Sequence, residues 1–307
     1  MYNHINVTVV VLLGFPGLSH FKTEVFCLLL MVYSATICVN VLIIVLVSSS
    51  KNLHTPMYFF LTQLTISDVM VSTCIMPNAL SVIFHHGGTI SFIFCLVQFH
   101  LFSALESLEC YLLTIMAYDR YLAISNPLRY HAIMTPRLCL VLIILCWFLG
   151  FIPPTLLTEK LWQASFCGFN LIDHFFCDLD PIVQLICSDT SEIQMEAMFF
   201  GVPVIICPFV VIMISYVYII VIIVRIPSVS GRQKAVSTCS SHLSVVVIFY
   251  GTLLAMYEFP SSESSTTRKI LSMLYTVLVP LLNALIYSLR NKDIKIAYVK
   301  LGNSFFK

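Results

Sequence analysis

The stretch from residue 25 to residue 47, VFCLLLMVYSATICVNVLIIVLV, contains no acidic or basic side chain. About 20 consecutive apolar residues are enough for a helix to cross the hydrocarbon core of a bilayer, so this stretch predicts a transmembrane helix. The 307-residue chain has the same character throughout, since 59% of its residues are hydrophobic and only 10% are charged. Soluble domains have about 25% charged residues, so this composition excludes a water-soluble fold.

Six further apolar stretches follow, each long enough to span a bilayer. None alternates with a period of two residues, which excludes an outer-membrane barrel and leaves helices as the structure that satisfies every backbone group in lipid. The predicted fold class is an all-α membrane protein, a seven-transmembrane helix bundle that forms a single domain over residues 1–307. The spans are expected near residues 24–49, 57–80, 93–118, 138–158, 196–224, 243–259 and 270–289.

The distribution of Lys and Arg predicts how the bundle is oriented. Segments on the side opposite the N-terminus are much richer in these residues, which marks that side as cytoplasmic. Residues 1–22 are therefore expected to be extracellular, with a glycan on Asn6 of the sequon Asn6-Val7-Thr8, and residues 291–307 to form a cytoplasmic tail. Residues 291–301 alternate basic and apolar side chains, which predicts a short amphipathic helix on the membrane surface; the alternative is a frayed tail.

The twelve cysteines divide between the spans and the extracellular side. Most lie inside predicted spans, where a free cysteine is a small buried hydrophobe. Cys95 at the start of the third span, and Cys167, Cys177 and Cys187 in the long loop of about residues 159–195, lie on the side facing an oxidising compartment. Two disulfides are expected there, and the spacing leaves three connectivities open.

Several polar side chains lie inside the apolar spans, where a charge costs roughly a few kcal/mol. One interpretation is a hydrogen-bonded cluster that joins helices. The other is a sodium or water site whose occupancy favours one packing of the bundle. The residues concerned are Asn40, Asp68, Glu109 and Asn283.

A set of motifs occurs in order along the chain. They are LHTPMYFFL at 53–61, MAYDRYLAI at 116–124, HFFCD at 174–178, SY at 215–216, KAVSTCSSHL at 234–243 and PLLNALIYSLRN at 280–291. Together they resemble the vertebrate odorant receptor family of rhodopsin-like G protein-coupled receptors, over nearly the whole chain. The clearest departure is Ala284, where that family usually has proline.

The resemblance implies a function and its partners. A small volatile or apolar odorant would bind within the helix bundle, and a stimulatory heterotrimeric G protein of the olfactory type would then raise cAMP. The chain would be a multi-pass plasma-membrane protein with the lipid bilayer around it, without enzymatic activity, nucleic-acid partner or cofactor beyond a possible allosteric sodium ion. The alternatives are a rhodopsin-like receptor that senses a small metabolite in another tissue and a transporter or channel. A transporter would be expected to show inverted repeats, which the sequence lacks.

The resemblance also implies roles for individual residues. It pairs Cys95 with Cys177 and Cys167 with Cys187, and it places a sodium site at Asp68, Glu109, Asn40 and Asn283. In the G protein switch, Asp119 would hold Arg120 at rest and release it towards Tyr216 and Tyr287, whereas the alternative for Arg120 is an interfacial anchor. His242 is a possible partner of the third span at rest, although a lone histidine is more often simply packed.

Offsets from the matched motifs give a predicted ligand pocket that is mainly apolar and aromatic, as small-molecule sites are. Glu106 is its one carboxylic acid and has three interpretations: a protonated acid hydrogen-bonded to a serine, an extension of the cation site, or a ligand contact. The predicted wall consists of Phe102, Ser103, Glu106, Ser107, Phe200, Val204, Tyr250, Leu253, Leu254, Tyr257, Met273 and Thr276.

Overall fold

The computed structural model describes residues 7–18, 21–166, 170–258 and 265–305. The predicted glycosylation site at Asn6 and the predicted disulfide cysteine Cys167 therefore lie outside the described residues. Tyr257 belongs to a described helix, but the position of its side chain is not described.

Seven helical segments are long and apolar enough to cross a membrane, which confirms the predicted seven-transmembrane bundle. Spans 1 to 7 are, in order, Lys22–Ser49, Pro56–His85, Phe92–Ser125, Pro136–Gln163, Ser191–Arg225, Val229–Glu258 and Ser265–Arg290. The C-terminal helix Lys292–Phe305 follows, and it buries Ile294 and Ala297 while exposing Tyr298 and Val299, as the amphipathic pattern predicts.

Span 6 begins at Val229, well before the apolar stretch predicted near residue 243. Its first turns are rich in serine, and small hydroxyls can donate to carbonyls of their own helix. Ser240 Oγ donates to Ser237 O at 3.1 Å, and Ser244 Oγ donates to Ser240 O at 2.8 Å. Because these hydroxyls hydrogen-bond to carbonyls of their own helix, a polar stretch can still be helical. Hydropathy alone therefore does not reveal where span 6 starts.

Local capping fixes the start of two other spans. Ser91 Oγ accepts a hydrogen bond from Phe94 N–H at 3.2 Å at the beginning of span 3. Thr135 Oγ1 accepts from Leu138 N–H at 3.3 Å at the beginning of span 4, where Pro136 occupies the first helical turn. Both arrangements satisfy an amide that would otherwise lack a partner at a helix N-terminus.

Span 3 lies at the centre of the bundle and packs against spans 2, 4, 5 and 6. Gly150 of span 4 allows one of these contacts, since a Cβ added there would lie 3.1 Å from Ala104 O and 3.1 Å from Leu108 N of span 3. Small residues permit this close approach of two membrane helices. Side chains of span 3 therefore contact spans 2, 4, 5 and 6.

Span 7 is interrupted just before Pro280. A π-helical stretch, Leu274–Leu278, separates the helix Ser265–Met273 from the helix Val279–Arg290. π-Helical insertions are a recognised cause of kinks in helices. The irregular stretch thus lies immediately before the proline.

A small three-stranded sheet covers one end of the bundle and was not predicted from the sequence. The central strand β1, Val9–Leu12, pairs antiparallel with β2, Gly88–Ser91, and parallel with β3, Leu171–Ile172. Alternate residues of β1, Val10 and Leu12, are fully buried. This end is called the sheet end below, and the opposite end, which carries Arg120, is called the arginine end.

Candidate functional site

At the arginine end, Asp119 joins span 3 to the segment that follows it. Its carboxylate lies 3.6 Å from Arg120 Nη2 and accepts a hydrogen bond of 2.6 Å from the Tyr130 hydroxyl. Burial, reinforced by the Asp119 carboxylate, raises the pKa of Tyr130 above its ordinary value, so the phenol stays neutral and donates. The structure therefore brings the predicted pair Asp119 and Arg120 together.

His242 of span 6 lies beside this pair and connects three spans. It is fully buried, its Nε2 lies 3.1 Å from Leu113 O of span 3, and its Nδ1 lies 2.7 Å from the Tyr216 hydroxyl of span 5. A carbonyl can only accept, so Nε2 carries the proton and Nδ1 accepts from Tyr216. These two hydrogen bonds hold spans 3, 5 and 6 together, whereas Tyr287, also fully buried, has a hydroxyl without a hydrogen-bond partner.

A polar cluster lies deeper in the bundle. Asn283 Nδ2 donates to Glu109 Oε1 at 2.8 Å and to Asp68 Oδ1 at 3.3 Å, and all three side chains are almost completely buried. Asn40 is not hydrogen-bonded to these residues; its Nδ2 lies 3.0 Å from Thr36 O and 3.4 Å from Pro280 O, which ties span 1 to span 7. The structure thus assembles three of the four predicted residues directly.

The residues of the predicted ligand wall differ in burial. Phe102, Val204, Tyr250, Leu253 and Thr276 are buried, and Ser103, Glu106, Ser107, Phe200 and Met273 are partly buried. By contrast, 54% of Leu254 is exposed, so the structure does not place this side chain with its buried neighbour Leu253 in the bundle interior.

Glu106 lies in span 3 on the predicted wall. Its Oε2 is buried and has no hydrogen-bond partner within the described part of the chain. Ser107 Oγ does not serve as the donor, because it donates to Ser103 O at 2.8 Å. A buried carboxylate oxygen without a donor is costly, which makes Glu106 a place where a ligand, water or ion would add a missing contact.

The sheet end is closed by a covalent link. Cys95 of span 3 and Cys177 of the loop 164–190 form the disulfide that the family resemblance implies. Gln98, one turn after Cys95, reinforces it: its Oε1 accepts from Cys177 N–H at 3.0 Å and its Nε2 donates to Cys74 O of span 2 at 2.9 Å. Cys187 is also disulfide-bonded.

Lys269 at the start of span 7 forms a second clamp at the sheet end. Only 3% of it is exposed, it pairs with the Asp173 carboxylate, and its Nζ donates to Gly14 O at 2.8 Å. Its Nζ also lies 5.9 Å from the centre of the Phe15 ring. One lysine therefore joins span 7 to both the N-terminal segment and the loop 164–190.

A cavity of about 140 Å³ lies between this loop and the ends of spans 6 and 7. Its walls include His174, Asp178, Asp180, Met256, Arg268 and Ser272. Burial lowers the pKa of His174 to about 3 and raises the pKa of Asp178 to about 6, the latter despite a hydrogen bond from Leu179 N–H. At neutral pH the histidine is therefore uncharged and the aspartate is mostly ionised.

Three polar residues that matter for this geometry were not identified as site residues from the sequence. Gln98 and Lys269 were not singled out, and His242 was weighed only as a possible partner. The polarity of Gln98 and Lys269 beside apolar residues could have marked them as candidate site residues. The neighbouring sequence, however, does not show which distant residues they contact.

Known proteins resemble the chain over most of its length. Residues 26–302 match the family model described as olfactory receptor. The chain is 43% identical over 291 residues to olfactory receptor 1468 of Rattus norvegicus, covering 94% of this chain and 93% of that protein. It is 44% identical over 286 residues to olfactory receptor 6N1 of Homo sapiens, covering 93% of this chain and 92% of the human protein.

Proposed function

The chain belongs to the olfactory receptor family, and from this premise we propose that it binds small apolar odorants and activates a stimulatory heterotrimeric G protein. The sheet end would face the outside of the cell and the arginine end the cytoplasm, at the plasma membrane, with a G protein of the olfactory type raising cAMP. The excess of Lys and Arg on the arginine-end side supports this orientation.

The geometry of span 6 is the observation that carries the proposal. The same helix bears Tyr250 and Leu253 of the predicted ligand wall and His242 of the arginine-end contacts. Tyr250 lies about 12 Å along the axis from His242, at a rise of about 1.5 Å per residue. A ligand that displaces the helix at Tyr250 would therefore act on the hydrogen bonds that His242 makes.

Those hydrogen bonds are weak enough for a small ligand to oppose. Each neutral hydrogen bond contributes about 0.5–1.5 kcal/mol net, so the two bonds of His242 together stabilise the resting packing by about 1–3 kcal/mol. A ligand that binds the other packing tenfold more tightly supplies about 1.4 kcal/mol. When span 6 moves away from span 3, Arg120 would become free to contact the G protein.

The polar cluster has the chemistry of a sodium site. Asp68 Oδ2 and Asn283 Oδ1 are buried without hydrogen-bond partners, and Glu109 adds a second carboxylate. Carboxylate and amide oxygens are the ligands that hard cations prefer. A bound ion would supply the positive charge that offsets the two acids, and Asp68, Glu109 and Asn283 would hold it.

A cAMP reporter assay with an odorant panel tests the proposal. Cells that express the full chain together with an olfactory-type stimulatory G protein should respond to at least one odorant in a dose-dependent manner. Cells that express the G protein alone are the control. An odorant that binds the purified chain and leaves cAMP unchanged in well-expressing cells would contradict the proposal.

Glu106→Gln tests the ligand wall. Replacing the carboxylate should shift agonist potency at least tenfold, about 1.4 kcal/mol, while basal cAMP is largely kept. Glu196→Gln, a partly buried acid near the start of span 5, is the control. Unchanged potency together with lost sodium sensitivity would instead assign Glu106 to the cation site.

A further inference from the structure

The cavity at the sheet end contains an unsatisfied hydrogen-bond acceptor. His174 is only 6% exposed, its ring stacks on Phe175 at 4.7 Å between ring centres, and its Nδ1 has no hydrogen-bond partner among the residues that the structure describes. The ring also makes a hydrogen bond with the backbone of Phe176. Because the histidine lines the cavity and is neutral at physiological pH, Nδ1 is available to accept a hydrogen bond from a ligand.

The cavity also carries an excess of negative charge. Asp178 and Asp180 lie at the start of the short helix Leu179–Val183, and Asp178 Oδ1 accepts from Leu179 N–H at 2.8 Å, which fixes its orientation. Among the described residues that line the cavity, Arg268 is the one positive charge against these two acids, and its Nε is buried without a hydrogen-bond partner. A third acid of the cavity, Asp173, is already paired with Lys269.

Unpartnered polar atoms continue from the cavity into the bundle. Glu106 of span 3, on the predicted ligand wall, has a buried Oε2 without a hydrogen-bond partner among the described residues. The cavity adjoins the predicted ligand wall, since Thr276 Oγ1 of that wall donates to Ser272 O at 2.8 Å and Ser272 lines the cavity. A ligand that enters from the sheet end would therefore pass unpartnered acceptors before it reaches the wall.

We propose that this cavity binds the protonated amino group of a small alkylamine. The ammonium group would donate to His174 Nδ1 and to the Asp178 carboxylate, and its alkyl chain would lie against the apolar side chains of Met256 and Leu271. A carboxylate ligand would meet the two acids, and an alcohol would leave their charge without a counterion. This inference rests on the proposed receptor function and adds a class of ligand to it.

Binding to the purified full-length chain in lipid nanodiscs tests the inference. The probes are n-butylamine, n-butanol and butanoate, which share a chain length and differ in charge. A ligand that binds the folded state raises the apparent melting temperature with its concentration. The amine should stabilise the protein in a saturable manner and at lower concentration than either of the other two probes. Equal stabilisation by amine and alcohol, or stronger stabilisation by butanoate, would overturn the inference.

Asp178→Asn is the main variant, because asparagine can still cap the short helix but carries no charge. Hydrogen bonds to charged groups contribute about 1.5–3 kcal/mol, so the amine midpoint should weaken roughly tenfold or more. The control is Asp189→Asn, an exposed acid of the same loop that does not line the cavity. If Asp178→Asn does not fold, Asp180→Asn, at an exposed position on the cavity rim, takes its place with the same expected direction. An unchanged midpoint in the folded variants would contradict the amine site.

The amine midpoint should also depend on pH. The pKa of Asp178 is raised to about 6, so its charge is present at pH 7.4 and is largely lost at pH 5.5. Amine binding should therefore weaken as the pH falls through 6, while Asp178→Asn flattens this dependence. His174, with a pKa of about 3, does not titrate in this range, and an alkylamine stays protonated. The other titratable groups described around the cavity are Asp180, Arg268 and Asp173, the last of which is paired with Lys269.

The cAMP reporter separates this inference from the proposed function. Amine-dependent stabilisation without a cAMP response would contradict the signalling proposal and leave the amine site standing. Responses to neutral odorants without stabilisation by the amine would contradict only the amine site.

Discussion

The two ends of the bundle are held by different kinds of bond. At the sheet end, the Cys95–Cys177 disulfide, three paired strands and the buried Lys269 clamp join spans 3 and 7 to the N-terminal segment and the loop 164–190. At the arginine end, spans 3, 5 and 6 are joined by two neutral hydrogen bonds of His242. Among the other contacts at that end, Arg290 Nη1 donates to Ser244 Oγ at 2.7 Å, which links spans 6 and 7.

This difference indicates at which end the spans can separate at the lower cost in free energy. The disulfide joins Cys95 and Cys177 covalently in every packing of the bundle, whereas a neutral hydrogen bond contributes only about 0.5–1.5 kcal/mol and can be broken or exchanged. A ligand near the middle of the bundle would therefore separate the spans at the arginine end while the sheet end keeps its geometry. The four predictions below test this asymmetry.

Cys95→Ser or Cys177→Ser should have the largest effect. Loss of the disulfide, at a cost of about 2–5 kcal/mol, removes the covalent link between the loop 164–190 and span 3 and should cause retention in the endoplasmic reticulum. Flow cytometry of an N-terminally tagged chain measures the surface fraction. Cys207→Ser, a free and exposed cysteine of span 5, should be expressed normally. Normal surface levels of the Cys95 variant would show that the covalent link is dispensable.

Arg120→Ala should abolish ligand-driven cAMP while surface expression remains measurable, because the arginine end would lose the charge proposed to meet the G protein. Arg137→Ala, an exposed arginine at the same end, is the matched control. Dose–response curves at equal surface expression decide the outcome. Wild-type signalling from a well-expressed Arg120→Ala chain would reduce Arg120 to an interfacial anchor.

His242→Leu should raise basal cAMP several-fold. The substitution removes the two hydrogen bonds of His242 to spans 3 and 5, which lowers the stability of the resting packing by about 1–3 kcal/mol, while Tyr216 can still donate to Cys239 O of span 6 at 3.4 Å. His54→Leu, an exposed histidine between spans 1 and 2, should leave basal cAMP unchanged. A basal level at or below that of the wild type, at matched expression, would mean that these bonds do not restrain span 6.

Ala284→Pro should have the smallest effect. Proline removes the Ala284 N–H that bonds within the helix of span 7, but Asn40 Nδ2 already lies 3.4 Å from Pro280 O, the carbonyl that this change would release. We expect basal or maximal cAMP to change by about twofold, the size of a partly compensated hydrogen bond. Ala284→Gly, which keeps the N–H, is the control. A complete loss of signalling would show that span 7 must stay straight at this position.

The sequence by itself determined the seven spans, because the transfer of apolar side chains into lipid depends on local composition. It also determined the amphipathic C-terminal helix, whose pattern lies within one short segment. The start of span 6 was predicted near residue 243, later than in the structure. The serines before that point lower the hydropathy of the sequence, but their hydroxyls donate to carbonyls of the same helix and so do not interrupt it.

Only the tertiary structure decided which distant groups meet. The strand Val9–Leu12 pairs with segments near residues 90 and 171, and four apolar residues alone do not distinguish a strand from a loop. The partners of His242, Lys269 and Gln98 come from other spans and loops, so no local pattern specifies them. The physical reason is that composition sets whether a segment enters the membrane, whereas long-range packing sets the distances between its polar groups.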